Sequence, residues 1–275
     1  MTAETFTFEV PTIDDHGKVV RRSVLSAERV VFDLGRAELE MVRVPAGELI
    51  MGSPGRAGYD DERPQHRVAV AGFWIGRYAV TQEQWGSVMS WSPPYRCKGS
   101  RLPADRTSWI AASEFCKALT AKVGRAVSLP SEAQWEYACR AGTATPFSFG
   151  PTLTTEMANY VGLHTYALEA KGEYRHATVE VGSLPPNAFG LCEMHGNVWE
   201  WCEDRWHEGY DGAPTDGSAW TARAAGKDKD FRVLRGGCWH DPPDVCRSAA
   251  RVRLRPEEPE DWAGFRVVMA DEPTR

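Results

Sequence analysis

From residue 143 to its end this chain carries no long helical period. Its apolar residues come in short strand-like runs, each cut by Gly, Pro, Asn or Asp. A core assembled from such pieces depends on ordered loops, and ordered loops need large rigid side chains to pack against. Eleven Trp, with 25 Gly and 18 Pro, fit a loop-rich protein built around aromatic anchors rather than a helical bundle. With 275 residues and 42% hydrophobic content there is enough for one large core, or a core with a small appendage.

Helix signals are confined to the middle of the chain. Thr81-Gln-Glu-Gln84 is a capping box, in which side chains at the two ends satisfy each other's free backbone amides, so a helix starts there. Ser108 opens a second helix with Ala112, Phe115, Cys116, Leu119 and Val123 at three-four spacing, and Gly124 suits its end. Ser131-Glu-Ala-Gln134 caps a third, carrying Trp135, Ala138 and Cys139 on one face, with Gly142 to stop it. Before these, residues 1–37 alternate apolar and polar around a turn at Asp15-His-Gly17 and read as a β-hairpin extension; residues 38–275 form the main domain. Gly55–Glu62 and the charged stretch Arg223–Asp230 read as surface loops.

A net charge of −6 and a pI near 5.7, with no basic stripe, argue against nucleic acid and against anionic membrane surfaces. No run approaches the ~20 apolar residues of a membrane helix, which argues against membrane insertion. The N-terminus lacks the basic start and apolar run of a signal peptide, so the expectation is a soluble cytoplasmic chain. The seven Cys form no Cys-x-x-Cys pair, and in a reducing compartment most read as small core residues, Cys116 and Cys139 among them. Phosphate-binding glycine loops, His-Glu-x-x-His and the Gly-x-Ser-x-Gly elbow are all missing from the sequence.

The informative motifs lie late. Asn187-Ala-Phe-Gly-Leu-Cys-Glu-Met-His-Gly-Asn-Val-Trp-Glu-Trp-Cys202 is followed by Arg232-Val-Leu-Arg-Gly-Gly-Cys-Trp239, Cys246-Arg-Ser-Ala-Ala-Arg251 and Gly264-Phe-Arg-Val267. Together with Leu129-Pro-Ser-Glu-Ala-Gln-Trp-Glu-Tyr137, this set resembles the sulfatase-modifying-factor family, whose type member is the formylglycine-generating enzyme, over roughly residues 38–270. The resemblance implies an α+β, C-type-lectin-like fold with few helices, many short strands and high loop content. Iron-dependent sulfoxide synthases share that fold, but the seven His never take their His-x3-His-x-Glu spacing.

The resemblance also implies chemistry, and here the chain departs from it. Active members place two cysteines five and ten residues beyond the first Gly of the Gly-Gly pair, and these bind copper. Counted from Gly236, those places fall on Asp241 and Cys246; counted back from Ala249-Ala-Arg251, the second falls on Pro243. A cuprous dithiolate needs two converging sulfurs, which Cys238 and Cys246 could supply only if the Pro242-Pro243 turn folds back, so copper is disfavoured. The resemblance further implies two structural Ca2+ sites. One uses the Glu193 and Glu200 side chains with the Gly196 and Val198 carbonyls; the other uses Asn159, Tyr160, Glu173 and Arg175. The plain alternative for Glu193 and Glu200 is solvated or salt-bridged acids. His195 reads as a hydrogen-bonded turn residue, and Trp199 and Trp201, on one side of a strand, as core.

The shortened loop, the run Arg-Ser-Ala-x-Arg-x-Arg-x-x-Pro and the ending Gly-Phe-Arg-Val-Val resemble the variable proteins of diversity-generating retroelements, which display ligand-binding side chains on this scaffold. The matching positions are Trp239, His240, Asp241, Asp244, Val252, Leu254, Glu257, Glu258, Glu260, Asp261 and Trp262. Aromatic and acidic groups on a shallow surface suit a protein or peptide ligand better than a buried reaction. The leading expectation is therefore a recognition module without catalysis, the alternative an oxygen-dependent metalloenzyme with a rearranged site.

Overall fold

The computed structural model describes residues 2–55, 57–223 and 230–271; most of the charged Arg223–Asp230 stretch lies outside the described residues. The chain runs β1 (Glu4–Ile13), β2 (Val19–Asp33), β3 (Glu38–Val44), β4 (Gly47–Met51), β5 (His66–Val70), β6 (Phe73–Gly76), then α1 (Gln82–Val88), α2 (Trp109–Val123) and α3 (Glu132–Arg140). The short strands β7 (Trp199–Arg205), β8 (Arg232–Arg235), β9 (Arg251–Leu254), β10 (Ala263–Gly264) and β11 (Val268–Ala270) follow, separated by long loops. This is the α+β, strand-and-loop architecture expected.

The strands make a five-stranded sheet in the order β1-β2-β3-β6-β11, a four-stranded sheet in the order β10-β7-β8-β9, and the β4-β5 pair. The N-terminal hairpin turns where Asp14 Oδ1 accepts the amides of His16 and Lys18. It is continuous with the larger sheet, because Arg29–Asp33 of β2 pairs with β3. Alternation along β3 and β6 buries both faces of that sheet. Leu39, Met41 and Trp74 pack with Trp85, Phe115, Trp201 and Phe265, while Val42, Val44 and Ile75 pack with Trp135, Ala138 and Trp206.

The three helices begin where their caps predict. Thr81, Ser108 and Ser131 each accept an amide from the first turn, and both Gln84 and Gln134 close capping boxes. Gly124 ends α2 in the left-handed region, at φ 70°. The third helix stops one residue earlier than its glycine suggests, because Ala141 itself takes the left-handed conformation ahead of Gly142.

Loops of this length are held by buried ion pairs. Glu132, Glu136 and Arg140 recur every fourth residue on the inner face of α3. Arg235 of β8 is fully buried and donates to Glu132 at 2.7 Å and to Glu136; Arg251 of β9 donates to both oxygens of Glu132 at 2.6 and 2.9 Å. Arg140 and the Gly52 amide complete Glu136, at 2.8 and 3.0 Å. A second bidentate pair joins Arg247 to Glu62, with both contacts at 2.7 Å. Burial alone would raise the Glu132 and Glu136 carboxyls, but the surrounding guanidiniums outweigh it and hold both below the usual range.

Removing one member of a buried pair leaves the other as an uncompensated charge. Arg235→Met or Glu136→Gln should therefore cost about 3–5 kcal/mol in chemical denaturation, whereas Arg67→Ala, which breaks an exposed pair with Glu48, should cost under ~1 kcal/mol. Because the folded-state values of Glu132 and Glu136 are depressed, their contribution is complete above the ordinary value of 4.5 and is lost as pH falls below it. The unfolding free energy should drop steeply under that pH, and less steeply in Glu136→Gln.

Candidate functional site

The Gly236-Gly237 pair sends the chain sharply out of β8, with φ of 105° and 74°. At Gly237 a side chain has no room, since a Cβ would lie 2.4 Å from Cys246 Sγ. The turn that follows, Cys238-Trp239-His240-Asp241, is closed by its own acid. Asp241 Oδ2 accepts the Cys238 amide at 3.0 Å, the Cys238 thiol at 2.9 Å and the Trp199 indole N–H at 2.6 Å. From outside, the Val161 amide donates to Asp241 O and the Trp239 amide to Asn197 O. Trp199 and Trp201 are both buried in the first apolar cluster; Trp199 holds the turn through its indole N–H, and Trp201 donates its own to Thr107 O.

An aromatic and charged surface forms around this turn. The Arg96 guanidinium lies 4.4 Å from the Trp239 ring centroid and pairs with Asp261 at 2.9 Å. Trp239 stacks with Tyr174 at 6.2 Å, Tyr174 contacts His176 at 3.8 Å, and Trp262 meets Trp199 edge-on. Residues flanking Arg96 begin an open cavity of about 850 Å³ lined by Pro93, Pro94, Tyr95, Lys98 and Arg106.

Trp239, His240, Asp241, Asp261 and Trp262 are therefore brought together. Trp239 is mostly buried, the other four half-buried. Glu257, Glu258 and Glu260 sit on the segment between β9 and β10, with Glu257 and Glu260 exposed and Glu258 accepting the Arg255 amide. Val252 and Leu254 are half-buried against the first apolar cluster. Asp244 belongs elsewhere, accepting the Tyr59 hydroxyl at 2.7 Å. Sequence reasoning missed Arg96, Tyr174 and His176; the one clue was their aromatic and basic character inside otherwise polar loops.

The thiols are poorly placed for nucleophilic or redox work. Burial, with the Asp241 carboxylate beside it, pushes the Cys238 thiol well above its usual value, and burial does the same to Cys246. The two are free cysteines in different apolar clusters, and Cys246 Sγ points at Pro242 O, 3.7 Å away. His195 is buried and held by Cys246 O at 2.8 Å and the Ser148 amide at 3.0 Å; burial brings it down to about 4, so it is neutral at ordinary pH.

The two calcium positions differ in fit. At the first, Glu200 pairs bidentately with buried Arg266, at 2.6 and 2.7 Å, and also accepts the Trp135 indole at 2.7 Å. Glu193 accepts the amides of Gly182 and Leu184, and burial raises it to about 7. The Gly196 carbonyl accepts the Val198 amide. A guanidinium already neutralises this site, and a dication does not fit it. At the second, Asn159 Oδ1 is buried with no donor. Glu173 is exposed with only a 3.3 Å contact to Arg175, and Tyr160 is buried beside Asn159. That position fits a hard cation.

A model of the sulfatase-modifying factor enzyme 1-like domain matches residues 29–271. The structure of PvdO from Pseudomonas aeruginosa superposes with a TM-score of 0.76 at 34% identity, over 88% of this chain and 98% of that one. Treponema denticola variable protein 1 superposes with a TM-score of 0.69 at 23% identity, over the same 88% and 98%, and shares the fold. The serine/threonine-protein kinase Pkn1 of Chlamydia caviae is 31% identical over 82% of this chain but only 37% of its own length, so this chain spans little more than a third of that kinase. The family motifs, the strand-and-loop architecture and the match over residues 29–271 agree: the chain belongs to the sulfatase-modifying factor enzyme 1-like family.

Proposed function

We propose that this chain is a ligand-recognition domain, without oxidase activity, that binds a protein or peptide over the Trp239–Trp262 surface. The observation that carries the reading is Asp241. The residue in the place of the first copper cysteine closes a turn as acceptor for three donors, and the remaining thiols are buried and held protonated. Around the turn, aromatic rings, one guanidinium and an acidic rim at Glu257 and Glu260 make the kind of surface on which a few large side chains dominate binding. The acidic rim favours ligands that place Lys or Arg next to an aromatic residue. A displayed peptide library panned on the whole chain should enrich such sequences. Trp262→Ala or Arg96→Ala should weaken the selected peptide at least tenfold, about 1.4 kcal/mol, and Glu257→Lys with Glu260→Lys should weaken it further at low salt. Affinity unchanged in all these variants would move the site elsewhere.

The second part of the proposal is a structural Ca2+ held by Asn159, Tyr160, Glu173 and Arg175, the last and Tyr160 through their carbonyls. The orphaned Asn159 oxygen supports it. An ion at a hundred times its dissociation constant would stabilise the fold by about 2.7 kcal/mol. Chelator should therefore lower the melting temperature of the unmutated chain, and Asn159→Ala should abolish that response. Glu193→Gln should keep the response, and Glu200→Gln should destabilise with or without chelator, because it strands Arg266.

A further inference from the structure

Cys238, His240 and Asp241 are the one group of three or more His, Cys, Asp or Glu among the described residues whose ligand atoms all lie within 4.8 Å of one another. Cys238 Sγ is 3.4 Å from His240 Nδ1 and 2.9 Å from Asp241 Oδ2. All three come from a single four-residue turn, so a small motion of one backbone segment adjusts the whole set.

We propose that this turn binds a zinc-class divalent ion through Cys238 Sγ, His240 Nδ1 and Asp241, with one coordination position left open. In a tetrahedral site with a metal–sulfur distance near 2.3 Å and metal–nitrogen or –oxygen distances near 2.0 Å, sulfur and its neighbours stand roughly 3.5 Å apart. The sulfur–nitrogen separation already matches. The sulfur–oxygen separation must open by about half an ångström, which replacement of the S–H···O contact by a metal would bring about. Binding releases the Cys238 thiol proton to solvent and joins a thiolate, a neutral imidazole and a carboxylate on one ion. A mixed sulfur, nitrogen and oxygen set excludes Ca2+ and Mg2+, which demand oxygen, and lacks the second sulfur of a cuprous dithiolate.

The surroundings suit such a site. Asp241 is oriented by the Trp199 indole and the Cys238 amide, the kind of outer contact that fixes a ligand in place. The turn is pinned from outside by the Val161 amide, which donates to Asp241 O, and by Asn197 O, which accepts the Trp239 amide. On the same turn the Trp239 indole N–H is buried with no acceptor. This site does not depend on the peptide-binding reading; it would stand if that reading failed.

The test is a cobalt titration of the whole chain after dialysis against chelator. One equivalent of Co2+ should produce a thiolate-to-cobalt charge-transfer band that Zn2+ then displaces. Cys238→Ser should abolish the band, and His240→Ala, at a half-buried position, should raise the dissociation constant at least tenfold. Cys246→Ser and Cys97→Ser should keep the band. No band in the unmutated chain, a band that survives Cys238→Ser, unchanged affinity in His240→Ala, or loss of the band in Cys246→Ser would each overturn the assignment.

Discussion

The buried contact of two guanidiniums with Glu132, and of Arg235 with Glu136, ties α3 to the strands on either side of the 238–241 turn. Arg235 is the last residue of β8, immediately before Gly236, and Arg251 is the first of β9. Both end on α3. The loop between them is therefore suspended from one helix face, and its ends cannot drift without uncovering charge in a dry interior. Arg247 and Glu62 pin the same loop from the other side. Among the described residues after α3 there is almost no helix, and these pairs do the positioning that helix packing does elsewhere.

With its ends fixed, the loop's chemistry is set by one residue. A cysteine at position 241 would face the Trp199 indole and the Cys238 amide with a weak acceptor. The carboxylate satisfies both and also takes the Cys238 thiol proton as a hydrogen-bond partner. Position 241 is thereby the point at which the turn closes. The turn is itself anchored in the first apolar cluster through Cys238, Trp239 and Trp199, with the ion pairs of α3 fixing its two ends.

Much of the architecture was legible because its signals are local. Three capping sequences predicted three helix starts, and Gly124 predicted an end. Family motifs located the turn. What stayed hidden was pairing at long range: Glu200 with Arg266, 66 residues apart, and Arg96 with Asp261, 165 apart, carry no local pattern. The first calcium position illustrates the cost. The family resemblance implies Glu193 and Glu200 as ligands, and the ion pair with Arg266, from the far end of the chain, makes Glu200 the salt-bridged acid of the plain alternative. Asp244, likewise, is assigned to the ligand surface by resemblance, and in the structure it accepts the Tyr59 hydroxyl.

The central claim is that a ligand seats on the surface around the 238–241 turn. The most direct measurement is amide hydrogen exchange of the whole chain with and without the library-selected peptide. The account predicts slowed exchange confined to segments around 93–98, 174–176, 238–241 and 257–262. Protection elsewhere, for example along the N-terminal hairpin, with those four segments unchanged, would contradict it.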